Sequence, residues 1–193
     1  MAARRGSATV GRMTPLPHPD EGPLGVLIAG AGIAGLETLV ALRGLARQEV
    51  APTLIAPDEW FSLRALSVFE PFGYEQARRY PLPDLTGALD AGRRRDAVSA
   101  VDRARREVTL RSGAVVPYDV LVLAVGAVPY PAFDHGVLFD YGRNRDRVDA
   151  MLRDVHAGRA DSVVVVVPPR SAWTLPAYEL ALMLASSRSR LRA

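Results

Sequence analysis

The run Gly30-Ala31-Gly32-Ile33-Ala34-Gly35 has the residue types and spacing of a phosphate cradle, G-x-G-x-x-G. Each glycine has a separate physical task. Gly30 permits a tight turn out of a strand. Gly32, with no side chain, lets a pyrophosphate approach the backbone. Gly35 lets the following helix pack closely on the strand. The backbone N–H groups around Ala31, Ile33 and Ala34 then face the phosphates together with the positive end of the helix dipole. A glycine-rich turn between strand and helix also serves purely structural ends, so the six residues must be weighed with the elements that carry them.

Those elements are present. Val26-Leu27-Ile28-Ala29 is an apolar, β-leaning run directly before the motif. Leu36, Leu39 and Val40 follow at roughly helical spacing, with Arg43 interrupting the stripe. A second apolar strand, Thr53-Leu54-Ile55-Ala56, arrives about twenty residues after the last glycine, the interval of a dinucleotide-binding βαβ unit. One feature departs from that pattern. The acid that holds the ribose hydroxyls ordinarily ends this second strand, and Ala56 stands there, followed by Pro57, Asp58 and Glu59. Two readings of the acids stand side by side: Asp58 or Glu59 reaches the ribose from the turn, or the turn is simply acidic and solvated.

Composition narrows the classes. A chain of 193 residues that is 49% hydrophobic suits one domain or one and a fraction, with a real core. All 24 basic residues are arginine, and the net charge is +3. The clusters Arg93-Arg94-Arg95 and Arg103-Ala104-Arg105-Arg106 are short and mixed with acids, which is the pattern of solvated loop faces and not of a nucleic-acid surface. Cysteine is absent, which excludes disulfides, thiolate metal sites and a redox-active cysteine pair. His18, His135 and His156 lie far apart without metal-ligand spacing. No apolar run has the length of a transmembrane helix.

Taken in order, residues 1–23 read as a disordered, arginine-bearing leader, with Met13 an alternative start. The aromatic stretch from Trp60 to Gly73 has no period. In one reading it packs its aromatic rings on the sheet edge; in the other it lies beside the pyrophosphate with Arg64 as a charge partner. Residues 84–95 predict a short helix and a basic turn. Ala97–Val101 alternates as a strand, and Glu107–Arg111, Ser112-Gly113 and Ala114–Val116 predict a hairpin. Tyr118–Gly126, YDVLVLAVG, predicts a buried parallel strand. The valines Val163 to Val167 predict a central strand buried on both faces, followed by a connector and a helix with Pro176 in its first turn and Leu180, Met183 and Leu184 on its buried face.

The order of these pieces, and above all GAGIAG and YDVLVLAVG at this separation, resembles the pyridine nucleotide-disulfide oxidoreductase superfamily, in its NADH dehydrogenase and sulfide:quinone reductase-like branch. The resemblance covers residues 24–187. It implies an FAD-dependent enzyme in which Gly30, Gly32 and Gly35 hold the FAD pyrophosphate and Val98 meets the adenine through its backbone. Ala124-Val125-Gly126 stands beside the FAD, where the family usually has Ala-Thr-Gly, so one hydroxyl contact is missing. Two departures matter more. The turn of the second βα unit, PPRSAWTLPAYE, lacks a second glycine motif. Its prolines remove N–H donors and its bulky residues obstruct a phosphate, so no ordinary NAD(P)H site is expected there. The family's return segment to the FAD domain and its interface domain are also missing, so the chain resembles an N-terminal half.

The expected fold is α/β: a Rossmann-like FAD-binding domain with a small β-hairpin insertion (24–135), then the first βα unit of a second dinucleotide-binding-like domain (136–193). The expected function is electron transfer through bound FAD in an oxidoreductase-like protein that is incomplete as a single chain. The alternatives are a non-catalytic relic or interaction module that keeps the fold, and a stand-alone NAD-binding regulator. No catalytic side chain is identified by any motif. A partner chain or a homo-oligomer, a cytoplasmic location, and peripheral membrane or quinone contact complete the expectations.

Overall fold

In the computed structural model, residues 22–74, 77–140, 144–169, 171 and 174–190 are described. The leader expected over 1–23 falls outside them but for its last two residues, as does Trp173 of the connector.

Strand β1 (Leu24–Ala29), helix α1 (Ile33–Leu45) and strand β2 (Val50–Ile55) form the expected βαβ unit. β1 and β2 are parallel, with Ala29 opposite Ile55. An antiparallel pair and a helix follow: β3 (Trp60–Ser62) pairs with β4 (Arg79–Pro81), which leads into α2 (Leu82–Ala88). Then comes β5 (Gly92–Arg94), parallel to β2 with Arg94 opposite Ile55. This corrects the basic turn expected over these arginines. Charged side chains hide a strand whose pairing is carried by its backbone at a sheet edge.

Strands β6 (Val98–Asp102), β7 (Glu107–Leu110) and β8 (Val115–Pro117) make a separate antiparallel sheet in that order. Its β7–β8 turn is the expected hairpin, with Gly113 at φ +90°, a conformation that favours glycine. Strand β9 (Val120–Leu123) then returns to the other side of β1, so the parallel sheet runs β5-β2-β1-β9. β9 is parallel as expected, but it is an edge strand and only half-buried, with Leu123 59% exposed. Asp119 ties its start to β1: the Gly25 N–H donates to Asp119 Oδ2 at 2.7 Å, and the Asp119 N–H donates to the Gly25 carbonyl at 3.0 Å.

The alternation of β1 builds the layers. Val26 and Ile28 face Leu39 of α1 and Leu82 of α2, with Leu54 of β2 beside them. Leu27 faces the other way, onto Val108, Leu110 and Val116 of the antiparallel sheet, with Ile55. The parallel sheet is therefore covered by helices on one face and by the small sheet on the other. Arg43, which interrupts the apolar stripe of α1, locks the helical layer. Its Nε donates to the Leu89 carbonyl at 2.7 Å, its Nη1 to the carbonyls of Arg47 at 2.9 Å and Val50 at 3.2 Å, and its Nη2 to the carbonyl of Asp90.

A third cluster lies elsewhere. The aromatic stretch forms a 3-10 segment, Arg64–Phe72, that packs with α3 (Arg145–His156) and α4 (Leu175–Arg190) through Val68, Val148, Leu152, Leu180 and Leu184. Phe61 packs on the sheet-and-helix core as the edge-packing reading supposes, but Phe69 and Phe72 pack against the helices instead. Arg145 of α3 adds a bond from Nη1 to Glu70 Oε2 at 3.0 Å. In α4, Pro176 occupies the first turn and Leu180 and Leu184 are buried as expected.

The valines are the main correction. Val163–Val167 form no strand, and Val164 is 80% exposed. Five β-branched residues are suited to a strand, but a strand exists only through a ladder, and no described segment lies beside this one to make it. Among the described residues no helix is long and apolar enough to cross a membrane, and no cluster of metal-ligating side chains occurs.

Candidate dinucleotide site

The parallel sheet aims the carboxyl ends of β5, β2, β1 and β9 the same way. The chain leaves β1 to place β2 on one side and β9 on the other, so the crevice above β1 is a topological switch point, the position where open α/β sheets take ligands. The glycine turn occupies it.

The three glycines meet different surroundings. Gly30 has φ +112°, and its N–H donates to the Ile55 carbonyl at 2.8 Å. A Cβ added there would overlap the Ala124 carbonyl oxygen and stand 3.2 Å from Val125 Cα. A Cβ at Gly35 would overlap the Gly30 carbonyl oxygen and lie 3.5 Å from Ile28 Cγ2. At Gly32 a Cβ would meet nothing within 4 Å. Gly30 and Gly35 thus make backbone packing possible, and Gly32 faces open space. Gly32 is also the N-cap of α1: it has extended backbone, no side-chain cap, and no acid in the first helical turn. The N–H groups of Ile33, Ala34 and Gly35 therefore open the helix without side-chain acceptors. Gly32, Ile33 and Ala34 are exposed, Ala31 is half-buried and Gly35 is buried.

The second half of the paired signal converges on the same point. The Ala124 N–H donates to the Ala29 carbonyl at 2.8 Å, and its own carbonyl covers Gly30. Gly126 follows at φ +73°. Ala29 to Gly30 and Ala124 to Gly126 are thus neighbouring strand ends, although far apart in sequence.

At the end of β2, Ala56 is buried at 2% exposure, with its N–H donating to the Arg94 carbonyl at 3.1 Å. The acids stand on the exposed turn beyond it. Glu59 is ion-paired with Arg95, whereas the carboxylate of Asp58 has no partner among the described residues. Arg93 Nη2 donates to the Asp58 carbonyl at 2.8 Å, and Arg95 Nε donates to the Pro57 carbonyl at 3.4 Å. From sequence these arginines read only as a solvated loop face; the strand parallel to β2 that carries Arg93 and leads into Arg95 was the missing signal. Nearby, hydrogen bonds from the Ser112 side chain and then the Ala97 N–H hold the Asp96 carboxyl below its ordinary 3.8.

Other expected site residues are placed less directly. Val98 opens β6, pairs with Leu110 and packs on the cluster containing Leu27 and Ile55. Arg64 is exposed at the start of the 3-10 segment, and no hydrogen bond or ion pair joins it to the glycine turn among the described residues.

No protein-family model matches the sequence, and no curated protein matches it. Solved structures do. The sulfide:quinone oxidoreductase of the hyperthermophilic bacterium Aquifex aeolicus superposes with TM-score 0.75 at 24% identity over 86% of this chain and 40% of its own. Putidaredoxin reductase, in its covalent complex with putidaredoxin, gives 0.57 at 21% identity over 86% of this chain and 48% of its own. The NADH:rubredoxin oxidoreductase of Clostridium acetobutylicum gives 0.51 at 19% identity over 86% and 42%. This chain shares its fold with part of each of these oxidoreductases. The chain spans under half the length of each of these oxidoreductases.

Proposed function

We propose that the turn Gly30–Gly35 holds the pyrophosphate of FAD, and that this chain is the flavin-binding part of an electron-transferring oxidoreductase. The observation that carries the reading is the contrast among the glycines. Gly30 and Gly35 are required by contacts within the protein, but Gly32 has only open space where its side chain would be. A backbone kept bare on its solvent side, at a helix start free of acids, suits a close anionic ligand.

In this reading the N–H groups of Ala31, Gly32, Ile33 and Ala34 receive the phosphates. Asp58 takes the ribose hydroxyls in place of an acid at Ala56, because Glu59 is already engaged by Arg95. Val98 meets the adenine through its backbone, and Ala124 and Gly126 border the flavin. Arg64 is a further charge partner for the phosphates. When bound, the flavin supplies the redox chemistry, and the protein binds, orients and shields it. No side chain is assigned a catalytic role.

The boundary between a flavin-binding unit at 24–135 and a second unit from 136 belongs to the same proposal, as does the loss of an NAD(P)H site from the proline-rich connector. A second reading, an interaction module that keeps the fold without catalysis, is favoured by one observation: an open groove of about 660 Å³ bordered by Tyr130, Phe133, Phe139, Val165 and Leu180.

The visible absorbance spectrum of the purified chain, recorded before and after adding FAD and desalting, tests the proposal. Retention of about one flavin per chain is the expected result. A folded chain that retains none overturns it.

A further inference from the structure

The contacts on the turn Pro57–Glu59 point beyond the cradle itself. β5 runs parallel to β2 with Arg94 opposite Ile55, and Arg95 follows directly after the strand. Arg93 and Arg95 both reach across to the turn that continues β2. Arg93 Nη2 donates to the Asp58 carbonyl at 2.8 Å. Arg95 Nε donates to the Pro57 carbonyl at 3.4 Å, and its Nη1 pairs with Glu59 Oε1. Three consecutive residues are thus held by two guanidinium groups, while the Asp58 side chain is left out of the network.

We propose that Arg93 and Arg95 are positioning residues: they clamp the Pro57–Glu59 turn so that the Asp58 carboxylate serves the ribose hydroxyls of the bound nucleotide. This inference rests on the FAD-site reading above. It explains two facts that reading leaves open. One is how a turn can replace a residue at the strand end. An acid at position 56 would be fixed by the ladder, whereas an exposed turn beyond a proline has no ladder to fix it. The clamp supplies the missing constraint. The other is why three consecutive arginines stand on and just after an edge strand beside the ribose side of the site. Guanidinium forks suit this task because one planar group can bind two acceptors in fixed directions.

The energetics favour positioning over stabilisation. The Arg95–Glu59 pair is exposed, with 60% and 48% of the side-chain surface accessible, and pairs of this kind contribute little to folding. Arg93 keeps a buried Nε–H with no partner, which a purely stabilising side chain would be expected to have satisfied.

The test uses the whole chain and two probes, ADP and 2′-deoxy-ADP, with dissociation constants from titration calorimetry. A hydrogen bond to a charged carboxylate discriminates by a factor of about ten, so wild type is expected to bind ADP about tenfold more tightly than 2′-deoxy-ADP. Asp58→Asn is expected to abolish most of that ratio. Arg93→Met and Arg95→Met are expected to lower it as well, with affinity for 2′-deoxy-ADP and the melting temperature little changed. Arg95→Lys, which keeps the charge opposite Glu59, is expected to recover part of the ratio. Glu59→Gln attacks the same clamp from its other side and guards against a variant that misfolds.

ADP binding with no preference over the deoxy probe overturns the role of Asp58 and with it the clamp, while leaving the cradle in place. A preference that survives both arginine variants overturns the clamp alone. A folded wild-type chain that binds neither probe overturns the clamp together with the reading on which it rests.

Discussion

Replacing each cradle glycine by alanine separates architecture from ligand binding. At Gly30 the substitution meets two penalties: a φ of +112°, and overlap with the Ala124 carbonyl. Backbone strain of this kind costs about 1–3 kcal/mol, and forcing an extra carbon into packed backbone costs about 1–3 kcal/mol more. A loss near 3 kcal/mol lowers the melting temperature of a chain this size by roughly 6–12 °C. Gly35 lies inside α1, where alanine gains about 1 kcal/mol in helix propensity. The overlap with the Gly30 carbonyl outweighs that gain, because both atoms are backbone and neither can swing away. Gly32 differs in kind. Its φ of −78° suits alanine, and nothing lies within 4 Å of the added carbon. The folding cost is limited to the weaker N-cap propensity of alanine, under about 1 kcal/mol. Gly32→Ala is therefore expected to melt within a few degrees of wild type while losing flavin retention, because the methyl group stands where a phosphate must approach. Thermal unfolding by circular dichroism and the flavin absorbance after desalting give the two readouts. The reasoning fails if Gly32→Ala melts as early as Gly30→Ala, or if it melts normally and still retains flavin.

Three further outcomes follow from the packing and the charges. Leu54→Ala, at a fully buried site on β2 in the cluster with Val26, Ile28, Leu39 and Leu82, is expected to lose about 3 kcal/mol in urea unfolding. Arg43→Met leaves the carbonyls of Leu89, Asp90, Arg47 and Val50 without their shared donor, and is expected to cost about 2–3 kcal/mol in the same assay; Arg43→Lys should recover little, since an ammonium cannot reproduce the fork. Asp96 gives a pH signature. Its carboxyl is lowered in the folded chain, so the unfolded chain binds the proton more readily and stability rises with pH across the window. The contribution is complete above the unfolded value near 3.8 and is lost as pH falls through the lower folded value. Asp96→Asn is expected to flatten that acid limb of unfolding against pH, and an unchanged limb would contradict the assignment.

The legible parts of this fold were those written in local pattern. The strand–glycine–helix–strand run, the hairpin at Gly113 and the parallel strand after Tyr118 each carry a signature within a few residues: periodicity, turn chemistry, or a continuous apolar run. The glycine turn was legible for the same reason, since its three glycines sit within six positions. What stayed hidden depends on partners remote in sequence. β5 is three residues, Gly92–Arg94, two of them charged, and only its register with Thr53–Ile55 makes it a strand. Arg43 looked like a defect in an apolar stripe because most of its acceptors come from the turn after α2 and the start of β2. Asp119 looked like part of a strand motif, and its contact with Gly25 gives that motif a physical basis.

Val163–Val167 expose the limit of reading strands from side chains. The sequence argument weighed what five β-branched residues prefer, and that preference is real. A parallel strand also requires a neighbour contributed by a distant crossover, and no described strand pairs with the valines. The glycine region had those neighbours within the chain: β2, β5 and β9 all come to β1 or its partner, and each is fixed by a ladder or by Asp119. The valines have α3 and α4 nearby but no ladder, and only Val165 joins the apolar cluster formed with those helices. Helices can bury a face of a strand without supplying a single backbone bond to it. The same distinction separates the two candidate sites in this chain. The cradle at Gly30–Gly35 is held by backbone pairing on both sides of β1, so its geometry is set before any ligand arrives. The connector follows the valines, which no described strand pairs, so the parallel sheet that fixes the glycine turn does not run into it.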